Sequence, residues 1–307
     1  MSSPYLRGLR DSGIRGYFLY GGPGPATDDP NPPHPADARR MRDEYFASGR
    51  HGRLRMGMAL RGPAFTSAER NAEDFTFARE LGLPISIHVG MAGTGAAVTV
   101  LERDRLLGSD VNYVHGNFLT EREWDLLAAS GGTLTITPST DMLMQFGTFP
   151  STGAALSRGI VSGFGIDTIC SAGTDLFSEM RLALAAERSR ANASAISSEK
   201  MAKTVDLHQR DMLRLATIDG ARVWHLEDEI GTLTPGKQAD IAIIDMRSPH
   251  LDGFGDPVAV MVLGAGPADV ETVIVGGDIV KRDGKLAGDH ARHARELMHA
   301  ARTHLRP

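Results

Sequence analysis

The chain has 307 residues, 41% of them hydrophobic and 23% charged, enough for one large domain with a smaller companion. A formal net charge of -5 and a pI near 6.1, with arginines scattered rather than banked, exclude a typical nucleic-acid surface and favour small polar partners. No run of about 18 apolar residues exists for a membrane span, no basic-then-apolar leader opens the chain, and the single cysteine, Cys170, cannot form an internal disulfide; together these predict a cytoplasmic protein.

In chain order, the apolar runs "GIRGYFLYGG", "RLRMGMALRG", "LPISIHVG", "VNYVHGNFL", "GTLTITPS" and "IVSGFGIDT" read as six strands. Between the first two lies "GGPGPATDDPNPPHP", a Pro/Gly-rich loop long enough to cover a site. Gly21, Gly22 and Gly24 follow a strand there as a phosphate loop would, but Pro23 and Pro25 intervene and no helix starts directly. "SAERNAEDFTFARELG" and "TEREWDLLAASG" carry apolar residues at helical spacing, closed by Gly82 and Gly131. Strand and helix alternate, the pattern of parallel βα units. After about residue 216, "EIGTLTPGKQADIAIIDMRSP" and "VETVIVGGDIVKRDGKL" are β-rich, with Gly-Gly and Asp-Gly turns. The tail "HARHARELMHAARTHLRP" reads as an exposed helix, in which His290 and His293 are solvated. These shifts divide the chain into a βα unit over 1–225, a small β unit over 226–285 and a helix over 286–307.

A lone histidine ending a strand is ordinarily a hydrogen-bonded structural residue, and His88 by itself gives no reason to depart from that. Its companions do. His115 stands 27 positions further on and Asp167 another 52, close to one and two units of a (β/α)8 barrel at roughly 31 residues each. All three residues thus fall at strand C-termini, the face on which such barrels carry their chemistry. Asp175 competes with Asp167 for the carboxylate role but suits the N-cap of the following helix, and Cys170 reads as a small buried hydrophobe. Asn117 and Asp141 stand where they can contact a substrate or cap a loop. Met144, with Met142 and Phe146, offers an apolar wall for a ring, although such clusters more often belong to a core.

The stretches from "SGIRGYFLYG" through "HPADARRMRDEYF", "LPISIHVG" and "VHGNFLTEREWDLLAASGGTLTITPSTDMLMQFGTFP" to "GIVSGFGIDTICSAGTDLFSEMRLAL" resemble the amidohydrolase superfamily, in particular its chlorohydrolase and cytosine-deaminase-like branch. "GTLTPGKQADIAIID" and "VETVIVGGDIVKRDGKL" resemble its small composite β-sandwich. The resemblance covers residues 10 to 285 and implies an incomplete (β/α)8 barrel, strands three to eight, with a partial β-sandwich. It implies hydrolysis of a C–N bond, by deamination or by amide or amidine cleavage, in a cyclic or heteroaromatic small molecule. The implied cofactor is one divalent cation, zinc first, iron or manganese next. By the same resemblance His88 and Asp167 ligate the cation, Asp167 also takes a proton from the attacking water, and His115 is a further ligand or polarises the substrate.

Three departures from the family pattern stand out. No H-x-H pair occurs anywhere; Met91 occupies the place where related deaminases carry a Glu; and "RLRMGMALRG" has no lysine to carry a bridging carbamate. The expectation is therefore a weakly held or absent metal, a barrel lacking its first two strands, and a homo-oligomer that covers the open edge. Two rivals remain: metal-free acid/base chemistry (cyclisation, isomerisation or elimination) at the same residues, and a non-catalytic partner subunit.

Overall fold

A computed structural model of the chain describes residues 4–22, 36–46, 52–168, 175–201, 207–252 and 255–289, together with 292, 295, 296 and 299 of the tail. Cys170, His290, His293 and most of the Pro/Gly-rich loop lie outside the described residues. After a first helix, α1 (Pro4–Asp11), come strand β1 (Gly16–Gly21) and helix α2 (Asp37–Met41). Strand β2 (Leu54–Leu60) leads to α3 (Ala68–Glu80), β3 (Ile85–Val89) to α4 (Ala97–Arg103), and β4 (Val111–His115) to α5 (Glu121–Ser130). Then follow β5 (Thr133–Ile136), the short helices α6 (Pro138–Leu143) and α7 (Thr152–Ser157), β6 (Ser162–Phe164) and the long helix α8 (Leu176–Ile196). The six strands pair in parallel in sequential order and curl as a half-barrel.

Strand alternation explains the layers. Met56, Met58, Ile85, Ile87, Val111, Tyr113, Leu134 and Ile136 form one buried cluster with Phe75, Leu101, Trp124 and Leu127 of the surrounding helices, so these positions face outward. The opposite set, which includes Gly57, Ser86, His88, Asn112, Thr133 and Thr135, faces the concave side and is small or polar. Asn112 is satisfied there: its amide donates to Thr133 Oγ1 at 3.2 Å and accepts from Thr135 Oγ1 at 3.0 Å. The helices start where capping chemistry allows. Ser67 accepts the Arg70 N–H at the head of α3, and Thr120 with Glu123 forms a capping box on α5, which Gly131 ends at φ 71°.

The end of the half-barrel opposite the strand C-termini is closed by helix α10 (Ile218–Val223), which follows helix α9 (Gln209–Leu215), and by the chain after it. Thr133 Oγ1 donates to the Val223 carbonyl, Trp224 stacks on Tyr17 of β1 at 4.7 Å, and Glu229 takes both hydrogen bonds from Arg55 of β2 at 2.6 and 2.7 Å. A Cβ on Gly163 would stand 2.9 Å from the Gly220 Cα, so the closeness of α10 to β6 requires glycine there. The small antiparallel sheet pairs β7 (Ile241–Ile244), β8 (Val270–Val275), β9 (Asp278–Arg282) and β10 (Lys285–Leu286). Its two hairpins turn at Gly276–Gly277 and Asp283–Gly284, all at positive φ, the geometry that Gly-Gly and Asp-Gly pairs favour. The β-rich reading of residues from about 216 therefore holds only from 241. Residues 218–238 lie beneath the barrel, and the connection to β8 contains helix α11 (Pro257–Ala259), packed with α8 and α9 through Met180, Leu184, Met212 and Val258.

Arg15 and Asp240 join the two sheets through a partly buried bidentate pair at 2.6 and 3.1 Å, to which the Gly276 N–H adds a third bond at 2.7 Å. Burial pushes the Asp240 carboxyl up, but Arg15 and the Gly276 amide outweigh it and hold the group below its ordinary 3.8. Asp240→Asn should lower unfolding stability in urea at pH 7 by about 1.5–3 kcal/mol. The folded-state value is depressed, so this contribution is present above the unfolded pKa and fades as pH falls through the lower folded one. The gap between variant and wild type should therefore narrow below about pH 3.8.

Candidate active site

Residues at the C-terminal ends of β3 to β6 meet at one mouth. The β3–β4 register places Val89 beside His115 and His88 beside Val114. Ordinary alternation would point His115 outward with Val111 and Tyr113. Its φ of 78° breaks that alternation and brings its ring onto His88, with centroids 5.3 Å apart and planes 21° from parallel. Asp167 stands three residues past the end of β6, also in the left-handed region at φ 56°. Such a backbone costs on the order of 1 kcal/mol or more for a non-glycine residue, and persists where surrounding contacts over-determine it.

Those contacts are visible. His115 is buried, its Nδ1 lying 2.8 Å from Asp141 Oδ1 and 3.0 Å from Thr137 Oγ1. Thr137 Oγ1 donates to the same carboxylate oxygen, and the Thr137 amide donates to Asp141 Oδ2. Because the carboxylate accepts, His115 carries a proton on Nδ1, and Nε2 is the ring nitrogen left for other partners. Ser151 Oγ donates to the His115 carbonyl at 2.5 Å, and Phe146 packs edge-on to the ring at 5.0 Å. His88 has solvent-exposed surface at the mouth, yet enough protein surrounds it for desolvation to lower its pKa from the ordinary 6.5. His115 lowers it further, and Asp167 pulls the other way. The net result is a neutral imidazole at pH 7, the form that binds metals.

Asp141 sits in the first turn of α6, fully buried, with both oxygens committed to His115 and Thr137; it orients His115 and is not open to a substrate. Asn117 borders a different cavity of about 390 Å³, shared with Phe118, Trp124, Pro150 and Arg158. Its amide atoms are buried without a hydrogen-bond partner among the described residues. Met144 is exposed, as are Met142 and Leu143 beside it and Phe65 and Phe118 on the loops after β2 and β4. Met91 is buried. Asp175 caps α8, accepting the Ser178 N–H at 2.9 Å, as expected of a helix-starting aspartate. Thr137, Thr140 and Glu179, which fasten this mouth together, carried no signal in the sequence beyond the polar run "TPSTD".

In donor type the mouth fits a borderline divalent cation: a neutral imidazole at His88, an imidazole oriented by a carboxylate at His115, and the Asp167 carboxylate. Among the described residues no three His, Cys, Asp or Glu groups are placed to hold a metal ion, so His88, His115 and Asp167 suit a cation by donor type and not by a closed three-ligand geometry.

Residues 5–280 match the model of the amidohydrolase family. The chain belongs to that family. This amidohydrolase is 30% identical over 289 residues to a 5'-deoxyadenosine deaminase of Methanothermobacter thermautotrophicus, with 88% of this chain and 65% of that protein covered. It is 33% identical over 191 residues to a 5-methylthioadenosine/S-adenosylhomocysteine deaminase of Pyrococcus abyssi, covering 62% and 42%. The chain thus spans less than two thirds of the length of these relatives. Among solved structures, an adenosine deaminase of Xanthomonas campestris with bound zinc superposes with a TM-score of 0.80 at 22% identity, covering 96% of this chain and 68% of that one. The atrazine chlorohydrolase of Arthrobacter aurescens TC1 complexed with zinc gives 0.79 at 22%, covering 95% and 67%. At such identities the likeness is one of fold.

Asp141→Ala should leave the His115 Nδ1–H and the Thr137 hydroxyl buried without their acceptor. The expected loss is about 1–3 kcal/mol in denaturant unfolding. In ¹⁵N spectra, His115 should change from one tautomer to a mixture; an unchanged tautomer would show that Asp141 does not orient the ring.

Proposed function

We propose that this amidohydrolase hydrolytically deaminates a purine nucleoside or a closely similar heteroaromatic small molecule. The observation that carries the reading is the convergence of His88, His115 and Asp167 at one mouth, the last two in left-handed backbone. The deaminase names of the relatives support the reaction class and do not favour metal-free cyclisation, isomerisation or elimination.

In this reading His88 and Asp167 would hold a divalent cation, zinc first with iron or manganese as substitutes, and His115 would act through Nε2, as a further ligand when the ring is neutral or as the hydrogen-bond donor that polarises the ring nitrogen when Nε2 is protonated. The cation, when bound, lowers the pKa of water so that hydroxide is available near neutral pH. Asp167 takes the proton of the attacking water and returns it to the departing amine. The neutral state of His88 keeps its lone pair free, and Asp141 prevents His115 from turning Nδ1 toward the mouth. Phe65 and Met144, exposed on the segments after β2 and β5, would supply apolar surface for a heteroaromatic ring.

Assembly with a second copy is part of the proposal. Among the described residues β1 pairs with a strand on one side only, and an unpaired edge invites a partner. No described helix is long and apolar enough to cross a membrane.

The test uses the purified chain, stripped with chelator and reloaded with zinc, iron(II) or manganese, with 5'-deoxyadenosine and 5-methylthioadenosine as probes. Zinc should restore ammonia release, and Asp167→Asn should reduce kcat by about 10²–10⁴-fold and lower zinc retention on dialysis. Equal zinc content in wild type and variant, with no ammonia from either, would sink the reading.

A further inference from the structure

The first turn of α6 is where the two halves of the candidate site meet, and a buried acid outside that site sits against it. Thr137 occupies the N-cap position of α6 but makes no capping bond, because its hydroxyl is committed to Asp141 beside His115. The Ser139 N–H therefore lacks a local acceptor. Glu179, forty positions on and in the first turn of α8, fills that role: its Oε2 accepts the Ser139 N–H at 2.8 Å. Glu179 is completely buried, and its Oε1 has no partner among the described residues. Burial pushes its carboxyl up, the Ser139 bonds oppose this, and the charges of Asp141 and Asp175 add to the upward push. A buried, partly satisfied carboxyl with two acids nearby is costly to keep, and no step of the proposed reaction uses it.

The same turn has a second tie. Thr140 Oγ1 donates to the carbonyl of Ile166 at 3.2 Å, one residue before Asp167. The segment Thr137–Asp141 thus reaches His115 through Asp141, the approach to Asp167 through Thr140, and the helix after Asp167 through Ser139.

We propose that Glu179 is a positioning residue: by accepting the Ser139 N–H in place of the diverted Thr137 cap, it fixes the α6 turn that holds His115 in one orientation and at one distance from Asp167. The inference deepens the proposed deaminase reading, resting on it for the role of His115 and Asp167 but not for the contact itself. Groups hydrogen-bonded directly to a metal-ligating imidazole are worth about 10–100-fold in metal affinity or activity, and Glu179 acts one step further back, through the turn that seats Asp141.

The test compares two substitutions of similar volume in the full chain. Glu179→Gln keeps a carbonyl acceptor for the Ser139 N–H, whereas Glu179→Met keeps the bulk and removes it. The His115 imidazole ¹⁵N resonances, assigned by their loss in a His115→Gln variant, report its tautomer independently of turnover. With Glu179→Met the His115 resonances should move toward a tautomer mixture. kcat for ammonia release from 5'-deoxyadenosine by the zinc-loaded chain should fall about 10–100-fold with KM within about threefold, and Glu179→Gln should restore both readouts most of the way. Wild-type His115 resonances in folded Glu179→Met overturn the inference, whatever the activity. Should Glu179→Met not fold, hydrogen exchange at the Ser139 amide decides: slow exchange in wild type and Glu179→Gln supports the bond, fast exchange in wild type overturns it. If the resonances respond as expected while no variant or wild type releases ammonia, the positioning role stands and the deaminase reading falls.

Discussion

The hydrogen bond between Asp141 and the Nδ1 of His115 is the constraint on which the rest of the mouth depends. It is short, fully buried and made to a carboxylate, so it is stronger than an exposed contact of the same length. It commits Nδ1 to the carboxylate, and Nε2 is therefore the ring nitrogen through which His115 can act. The bond exists only because His115 leaves the outward series of β4 through a left-handed residue; with a regular strand backbone its ring would join Tyr113 against the helices. Side-chain bonding and backbone strain are thus two parts of one arrangement. Contacts at Asp141, Thr137, Ser151 and Phe146 hold a conformation that an isolated strand end would not keep.

A concave sheet face lined by Ser, Asn, Thr and His needs every buried polar atom answered, because an unanswered one costs as much as a hydrogen bond can return. The structure answers most of them within the barrel. Asn112 bonds across to Thr133 and Thr135, and Thr133 bonds onward to the chain after α10. That chain also brings Trp224 onto Tyr17 and Glu229 onto Arg55, so one segment closes the end opposite the mouth and spans the sheet from β1 to β6. The half-barrel is consequently braced at the end away from the candidate chemistry, and the loops at the mouth are left to carry exposed apolar side chains without having to hold the sheet together.

Much of the scaffold was legible in the sequence because it follows local rules. The six strands are short, largely apolar runs, each followed closely by glycine or proline. The caps at Ser67, Thr120 and Asp175 and the turns at Gly131 and Gly276–Gly277 are chemical necessities of their positions. His88, His115 and Asp167 stood out by interval alone. What escaped was tertiary. "TPSTD" reads as loop capping, and nothing in it announces that Thr137 abandons its cap to serve Asp141. Glu179 sits in "LFSEMRLAL", where a glutamate near a helix start looks like a solvated favourable charge; its burial arises from the approach of α6, which no periodicity encodes. Residues 229–238 read as the start of the β unit because of their Pro-Gly turn, whereas Arg55, far away in sequence, holds Glu229 under the barrel.

The two strained residues also bear on how the site would work. His115 and Asp167 leave strands on either side of β5 in the same unusual backbone region, and both are tied to the α6 turn, the first by a side chain and the second through the carbonyl before it. The backbones of His88 and His115 are both set by the β3–β4 ladder, which carries the Val89–His115 register pair. The α6 turn therefore acts on the His115 ring through Asp141 and on the approach to Asp167 through Thr140, while the ladder keeps the two imidazoles side by side.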